Sequence, residues 1–206
     1  VTEKKINVVS RIRWGDSKKS HLGGLSFLIT LVFTNIFLIV FYKDFFLTNY
    51  RDLIYFSSII LLAGFFGFLD EKYSYKPLEK ITLQIIISIL LILNGKIINF
   101  SPNEIINISI TIFYFVAIFN ILNMFDNIDL GFASISLPII IFLMSLNIHQ
   151  GNTIILLSFL GSIIAFTYFN SYPSKIFMGD LGSFQLAVLF SAISINIFWS
   201  DYKFNG

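Results

Sequence analysis

The sequence predicts an all-α fold: a polytopic integral membrane helix bundle of about seven transmembrane helices, formed as a single membrane domain over residues 1–206. Composition is the first reason. Of the 206 residues, 56% are hydrophobic and only 13% are charged, whereas a soluble domain carries about 25% charged residues. The second reason is that the apolar runs are long and continuous. A membrane β-barrel would instead show alternating apolar and polar residues.

Seven apolar runs approach the length of a spanning helix, which needs about 20 mostly apolar residues. They comprise residues 22–42, 53–69, 80–98, 105–122, 131–148, 153–169 and 183–200. Only short connections separate them, so we expect no linker and no second domain. A basic segment, residues 1–21, precedes the first run and shows no signal-peptide cleavage pattern.

The first three runs begin or end in residues that can carry chemistry. The first run follows the basic segment and begins with a Gly-Gly pair, and the second closes on Asp70 and Glu71. The third begins at Lys80, and Gln84 follows four residues later, so both share one helix face. An acidic pair can bind a divalent metal or take a proton, and lysines can meet phosphate. The alternative is a solvated loop whose lysines only set the orientation in the membrane.

The fourth run leads into a polar series with a spacing of three residues. Asn120 and Asn123 lie within the apolar run, and Asp126 and Asp129 follow it. On a helix of 3.6 residues per turn these side chains spiral, unless the helix breaks near Asn127. They could line a polar cleft that enters the bilayer. Hydrogen bonding between helices is the alternative for the asparagines, but it does not explain the two acids.

The stretch NSYPSKIFMGDLGSF joins the sixth and seventh runs. Gly179 and Gly182 allow unusual backbone angles and the close approach of a ligand. Ser183 is predicted to cap the seventh helix, whose amide groups would then face an anion. Asp180 is itself negative, and a bridging Mg²⁺ resolves this conflict because it takes one or two carboxylates together with substrate phosphates. An ordinary capped turn is the alternative.

The distribution of Lys and Arg predicts the orientation. With residues 1–21 placed inside, the inside segments hold ten of these residues and the outside segments hold four. The positive-inside rule then favours a cytoplasmic N-terminus. Three acidic groups fall on that same face, and they comprise Asp70 with Glu71, Asp126 with Asp129, and Asp180. Carboxylates repel one another in a medium of low dielectric, so we expect a cation among them.

Taken in order, five motifs resemble the polyprenyl-phosphate N-acetylhexosamine-1-phosphate transferases of bacterial membranes: HLGGLSF, GFLDE, KITLQ, NILNMFDNID and NSYPSKIFMGDLGS. The resemblance covers about residues 16–200. It implies transfer of a sugar 1-phosphate from a UDP-sugar to undecaprenyl phosphate, with release of UMP. It also implies Mg²⁺ as cofactor, with Mn²⁺ as an alternative. NILNMFDNID is closer to the N-acetylglucosamine-type members than to the muramoyl-pentapeptide branch.

The resemblance also implies a place in the cell and a role for each residue. The expected location is the bacterial inner membrane, with the active site on the cytoplasmic face, in cell-wall, lipopolysaccharide or O-antigen biosynthesis. Asp180 would be the metal ligand and a catalytic residue, and Asp70 with Glu71 would activate the lipid phosphate. The expected substrate-binding residues are Asn120, Asn123, Asp126 and Asp129 in the nucleotide-sugar cleft, Phe177 against uracil and Lys80 facing phosphate.

The chain departs from the family pattern at several places. Glu71 stands where the family has a second aspartate, and Asn127 and Leu130 replace glycines of an Asp-Gly-x-Asp-Gly run. Family members have ten or eleven spans and an inner loop of histidines and basic residues. The first helix, the last helices and that loop have no counterpart here. We therefore expect either a fragment of a longer product or a short form, and its activity alone is an open question.

Two other classes of function stay open. One is a non-catalytic membrane scaffold. The other is an ion-coupled transporter, since acids within membranes often mark ion paths, although such acids would be expected at several depths. The net charge of +2 is too small to indicate nucleic-acid binding. The expected partners are the lipid bilayer, a polyprenyl phosphate and a UDP-sugar, with a homodimer as an open assembly. Direct and covalent transfer are both compatible with the sequence.

Overall fold

The computed structural model describes residues 22–126, 128, 130–146 and 150–199. Over these ranges the chain is helical and contains no strand. A 3₁₀ turn at Leu22–Gly24 precedes α1 (Leu25–Phe41), α2 (Lys43–Tyr73), α3 (Pro77–Leu93), α4 (Glu104–Phe125), α5 (Gly131–Leu146), α6 (Gln150–Asn170) and α7 (Gly179–Trp199). The predicted all-α bundle of about seven helices is confirmed.

Four of the described helices are long and apolar enough to cross a membrane. They are α2, α4, α7 and the part of α6 from Asn152 to Asn170, while α1 and α5 are shorter apolar helices. Large apolar side chains such as Phe33 and Phe113 lie exposed on the outside of the bundle. Apolar surface of this extent belongs against lipid rather than water. The chain is therefore a multi-pass membrane bundle.

Local sequence explains where several helices begin and end. Pro77 occupies the first turn of α3, where its missing N–H costs nothing, and Glu79 accepts a hydrogen bond from the Lys76 N–H at 2.8 Å. The Asn103 side chain caps α4 by accepting from the Ile105 N–H at 2.9 Å. These caps stabilise the turns that precede the apolar runs.

Successive helices alternate in direction, so each end of the bundle gathers a defined set of helix ends. One end, here called the site end, holds the C-terminal ends of α2, α4 and α6 together with the N-terminal ends of α1, α3, α5 and α7. The other is called the opposite end. Asp70, Asp126 and Asp180 all lie at the site end. The expectation that the acidic groups share one face is confirmed for these three.

Two helices begin earlier than the apolar runs predict. α2 starts at Lys43, so residues 43–52, expected as an outer loop, are helical. α7 starts at Gly179, which places Ser183 inside the helix and fully buried. The prediction that Ser183 caps α7 is therefore wrong. The cap is provided from outside the segment, by the carboxylate of Asp126 at the end of α4.

α7 is the central helix of the bundle. Every residue from Gly179 to Ile193 except Asp180 is buried, and α7 packs mainly against α2 and α4. Its apolar side chains surround the helix rather than forming one stripe, which is typical of a helix enclosed by others. Phe184 packs edge-on against Phe119 of α4, with ring centroids 5.1 Å apart. This enclosure fixes the position of the first turn of α7, which carries Asp180.

Glycines allow α2 and α7 to cross closely. Gly67 faces the first turn of α7, and a Cβ at this position would overlap the backbone carbonyl of Asp180. Gly64 faces the side chain of Gln185 in the same way, one turn further from the site end. Small residues are the usual means of bringing membrane helices together. The crossing also sets the height of Asp180 relative to Asp70, which lies one turn beyond Gly67.

Gly67→Ala is expected to lower the free energy of unfolding by about 1–3 kcal/mol, because the added methyl group forces α2 away from the α7 backbone. Thermal unfolding of the purified protein in detergent measures the effect. Gly161→Ala in α6 is the matched control, since a Cβ there meets no atom within 4 Å. Alanine favours helix over glycine by about 1 kcal/mol, so the control should be neutral or stabilising. Equal unfolding temperatures for the two variants would contradict the close crossing.

Candidate active site

One ammonium group lies between two carboxylates at the site end. Lys80 Nζ, from the first turn of α3, is 2.6 Å from Asp70 Oδ2 and 3.3 Å from Asp180 Oδ2. We call these three residues the charged triad. The side chains of Lys80 and Asp70 are only 16% and 5% exposed, so water screens their attraction weakly. The cation expected among the acids is thus supplied by the protein itself.

Asn123 of α4 joins the charged triad. Its Nδ2 donates a hydrogen bond to Asp180 Oδ1, and its Oδ1 accepts one from Lys80 Nζ at 3.2 Å. The same Nδ2 lies 3.4 Å from Ser183 Oγ. The Asn123 carboxamide therefore orients both the Asp180 carboxylate and the Lys80 ammonium. Four helices, α2, α3, α4 and α7, each contribute one polar side chain at this point.

The end of α2 holds the Asp70 carboxylate in place. Ser74 adopts a left-handed conformation with φ 50° and ends the helix, and its N–H donates to the Asp70 carbonyl oxygen at 2.7 Å. The next N–H, that of Tyr75, donates to Asp70 Oδ1 at 3.2 Å. One carboxylate oxygen of Asp70 therefore accepts a backbone hydrogen bond, and the other forms the ion pair with Lys80. Its orientation is fixed by the way α2 terminates.

A second pair of amides lies one turn deeper. Asn120 Nδ2 donates to Gln84 Oε1 at 2.9 Å and to the Val116 carbonyl oxygen at 2.7 Å. Gln84 is fully buried, while Asn120 is exposed. Lys80 and Gln84 therefore share the face of α3 that meets α4, as predicted. The hydrogen bond between helices, one of the two alternatives for the asparagines, is formed by Asn120.

Asp126 binds the start of α7 rather than the charged triad. Its Oδ1 accepts from the Met178 N–H at 2.9 Å and its Oδ2 from the Gly179 N–H at 2.8 Å. Backbone amides at a helix N-terminus favour a negative charge. The sequence analysis predicted that an anion would bind to the amide groups at the start of this helix. In the structure a carboxylate that is only 6% exposed holds it, and so fixes the turn that carries Asp180.

Asn170 is a structural residue of the site whose role the sequence did not indicate. It is 1% exposed, accepts from the Leu130 N–H at 2.8 Å and donates to the Ile176 carbonyl oxygen at 2.8 Å. It thereby ties the connection after α4 to the connection after α6. Leu130 has φ 62°, the left-handed region that glycine favours. The backbone at Leu130 therefore has a conformation that suits the family's glycine, despite the substitution.

The Gly-Gly pair before α1 has a packing role. The Gly23 and Gly24 N–H groups donate to the carbonyl oxygens of Phe177 and Met178 at 3.1 and 2.9 Å. A Cβ on Gly23 would lie 2.6 Å from the Phe177 carbonyl oxygen, and one on Gly24 would overlap the backbone of Gly182. Only glycine permits this approach. The start of α1 thus supports the segment that leads into α7.

The structure brings most of the predicted site residues to one region. Asp70, Lys80, Asn123 and Asp180 meet directly, and Asn120 lies one turn deeper. Asp126 and the half-buried Phe177 flank the start of α7, and Glu71 is half-buried directly after Asp70. Asp129 lies outside the described residues. Away from the two ends, the described helices carry no charged side chain.

The side chains of the site suit a hard cation. Within the described ranges no group of three or more His, Cys, Asp or Glu side chains could hold a metal. Asp70 and Asp180 nevertheless present two carboxylates, and Asp180 is 24% exposed toward the site end. Mg²⁺ usually binds one or two carboxylates and completes its shell with water and substrate phosphates. The two carboxylates are donors of the kind that this ion prefers, and the Lys80 ammonium between them is the group that it would have to displace.

Comparison with known proteins agrees with these motifs. The sequence matches glycosyl transferase family 4 over residues 53–198. It is also similar to phospho-N-acetylmuramoyl-pentapeptide-transferases. The protein from Streptococcus pneumoniae serotype 2 (strain D39) is 31% identical over 194 residues, and the protein from Dictyoglomus turgidum is 31% identical over 188 residues. Each alignment covers 84% of this chain but 58% of the relative, so the chain spans a little over half the length of the curated relatives it matches.

The range that matches the family contains the residues of the site. It begins in α2 and ends in α7, so it includes Asp70, Lys80, Asn123 and Asp180. The resemblance read from the motifs is therefore confirmed. The chain belongs to glycosyl transferase family 4.

Proposed function

We propose that this chain transfers a sugar 1-phosphate, an N-acetylhexosamine 1-phosphate, from a UDP-sugar to undecaprenyl phosphate and releases UMP. The observation that carries the proposal is the charged triad, in which carboxylates from two helices meet on one ammonium at the end of a membrane bundle. Membership of a transferase family and relatives named as phospho-sugar transferases support it.

The position of the triad suits a reaction between a lipid and a soluble nucleotide. Such substrates can meet only where the bilayer ends. Asp70 closes α2 and Asp180 opens α7, so both acids lie at the ends of candidate membrane spans. The distribution of Lys and Arg favours the cytoplasmic side for this end. We place the reaction at the cytoplasmic face of the bacterial inner membrane, in cell-envelope polysaccharide biosynthesis.

The reaction replaces one phosphate ester by another. An oxygen of the lipid phosphate forms a bond to the sugar-bearing phosphorus, and the bond from that phosphorus to the bridging oxygen of UMP breaks. No net proton is consumed. Since both reactants are anionic, catalysis depends on neutralising charge and holding the groups in line. Lys80 supplies one positive charge, and Asn123 fixes its direction.

Mg²⁺, with Mn²⁺ as an alternative, would be held by Asp180 with Asp70 beside it. When bound, it supplies the further positive charge that two phosphates require. The expected place of the phosphates follows from the residues that would hold this ion. Asp126 holds the first turn of α7 through two backbone amides, so the Asp180 carboxylate faces the Lys80 ammonium.

The arrangement favours direct transfer to the lipid phosphate. Both oxygens of Asp70 are engaged, one by the Tyr75 N–H and one by Lys80. Both oxygens of Asp180 are engaged as well, one by Asn123 and one by Lys80. Attack on phosphorus by either carboxylate would convert it to an acyl phosphate and remove the charge that it sets against Lys80. Asp70 and Glu71 would instead act on the lipid phosphate by accepting its proton.

The nucleotide-sugar cleft is assigned to the side chains around the start of α7. Phe177 would stack on uracil, since it is half-buried in the segment that leads to Asp180. Asn120 is exposed one turn below the triad and can reach a sugar hydroxyl or amide. Asp126 and Asp129 would border the cleft, with Asp126 acting through the backbone of α7. These contacts remain predictions.

The proposal is tested by incubating membranes that contain the chain with undecaprenyl phosphate, Mg²⁺ and a radiolabelled UDP-sugar. UDP-N-acetylglucosamine and UDP-N-acetylmuramoyl-pentapeptide are both supplied, because the motifs favour the first and the names of the relatives favour the second. Formation of labelled lipid from either supports the proposal. No labelled lipid from either, at normal protein levels, would contradict it and favour the scaffold function.

Asp180→Asn is expected to lower the rate of labelled-lipid formation at least a hundredfold, since removing one ligand charge weakens stabilisation of the transferring phosphate. Asp44→Asn is the matched control, because Asp44 is exposed at the opposite end of α2. Unchanged turnover in Asp180→Asn would refute the metal-binding role.

Lys80→Met is expected to lose activity by about a hundredfold or more, because the phosphates lose a fixed cation and two carboxylates are left facing each other. Lys80→Arg keeps the charge and should retain part of the rate. Lys72→Met serves as control, as Lys72 is exposed at the end of α2. If Lys80→Met and Lys72→Met transfer sugar phosphate equally fast, Lys80 has no part in the reaction.

Direct transfer predicts no exchange of labelled UMP into the UDP-sugar when lipid phosphate is absent. A covalent sugar-phosphate intermediate on Asp70 or Asp180 would allow that exchange. The measurement uses the wild-type chain with UDP-sugar, Mg²⁺ and labelled UMP. Exchange at a rate comparable to transfer would show that the direct assignment is wrong.

A further inference from the structure

A polar cavity of about 290 Å³ lies at the opposite end of the bundle, remote from the charged triad. Its polar wall combines one ammonium, one carboxylate and several carboxamides, which belong to Lys96, Asp52, Asn49, Asn94, Asn152 and Asn196. Its apolar wall includes the buried side chains of Leu53, Phe56 and Ile155. The proposed transfer reaction makes no use of this cavity.

Within the described residues, the ammonium in this cavity makes its one hydrogen bond to a neutral group. Lys96 Nζ donates to Asn196 Oδ1 at 2.7 Å, and no ion pair joins it to Asp52 across the cavity. Burial lowers the pKa of Lys96 below its ordinary value, an effect that Asp52 opposes. A desolvated cation that makes no contact with an anion is costly. An anionic group placed in the cavity would offset that cost.

The other polar groups are available to a ligand. The carboxylate of Asp52 and the carboxamides of Asn94 and Asn152 make no hydrogen bond within the described part of the chain. The Asn49 Nδ2 is used by the Phe45 carbonyl oxygen at 3.0 Å, which leaves its Oδ1 as an acceptor. The cavity therefore offers amide donors near Lys96 for an anion, and acceptors near Asp52 for a cation.

The depth of the cavity places it at a membrane surface. Asp52 and Asp70 lie on the same helix, and at 1.5 Å per residue they are about 27 Å apart. The hydrocarbon core of a bilayer is about 30 Å thick, so this separation matches the distance between its two surfaces. Phospholipid headgroups occupy that level at high local concentration. Leu53, Phe56 and Ile155 offer the apolar surface that a lipid chain next to the headgroup requires.

We propose that this cavity binds the headgroup of a zwitterionic phospholipid of the phosphatidylethanolamine class. The phosphate would take hydrogen bonds from Lys96 and the neighbouring carboxamides. The ethanolamine ammonium would donate to Asp52 and Asn49. A choline headgroup has no N–H to donate, and a glycerol headgroup has no positive charge to set against Asp52. The ethanolamine headgroup matches both charges of the cavity.

The test measures lipid retention by the purified full chain in detergent, by native mass spectrometry. Phosphatidylethanolamine, phosphatidylcholine and phosphatidylglycerol with identical acyl chains are compared. Free phosphoethanolamine without lipid forms a fourth arm. We expect phosphatidylethanolamine to bind roughly tenfold more tightly than phosphatidylglycerol, as hydrogen bonds to charged groups provide differences of this size.

Two variants separate the contributions of the charges. Asp52→Asn alters only an exposed carboxylate and should bring phosphatidylethanolamine and phosphatidylglycerol to equal affinity. Lys96→Met should weaken all three lipids by roughly tenfold. Asp44→Asn and Lys43→Met are the matched controls, because these residues lie in the first turn of α2 and do not line the cavity.

Equal binding of the three lipids by the wild-type chain would overturn the proposal. So would a preference for phosphatidylethanolamine that Asp52→Asn leaves intact, which keeps the test valid even if Lys96→Met does not fold. Binding of free phosphoethanolamine without binding of the lipid would assign the cavity to a soluble ligand instead. The measurement involves no sugar transfer, so its outcome is independent of the proposed function.

Discussion

The ion pairing of Lys80 with Asp70 and Asp180 is the interaction on which the arrangement of the site depends. Each of the three side chains comes from a different helix, and Asn123 adds a fourth. Removing one partner of a buried charge pair costs about 3–5 kcal/mol, because the other charge is left without compensation. The rotation of α3 and the heights of α2 and α7 are therefore linked. A phosphate that draws Lys80 away must itself be accompanied by positive charge, which is the chemical reason to expect a divalent metal.

The rigidity of α7 makes this pairing possible. The helix is enclosed on all sides, crosses α2 at Gly64 and Gly67, and receives the Asp126 carboxylate at its first amides. Asp180 therefore cannot move independently of α2 and α4. A catalytic group needs to be held within a fraction of an ångström of its working position. Here backbone contacts hold it, and only its carboxylate remains exposed at the site end.

Features of the fold that depend on local sequence could be predicted, whereas contacts between distant segments could not. The apolar runs predicted the helices, and alternation of direction predicted that Asp70, Asp126 and Asp180 share one end. The helical segment 43–52 was missed because its charged residues end the apolar run, although a helix can continue beyond the membrane core. The cap of α7 was assigned to Ser183 because capping rules consider only residues next to the helix start, whereas the Asp126 carboxylate comes from α4. The place of Lys80 between two acids depends on how α3 is rotated, which only packing decides.

Two helices, α2 and α7, carry polar groups at both ends of the bundle. α2 presents Asp52 at one end and Asp70 at the other, and α7 presents Asn196 and Asp180 in the same way. Between these levels the described helices hold no charged side chain. Ionisable groups within the membrane often mark an ion path, whereas the proposed transfer needs charge at one membrane surface. The charged groups at the site end therefore fit the proposed transfer at that surface, and the second polar level fits the proposed contact with a lipid headgroup.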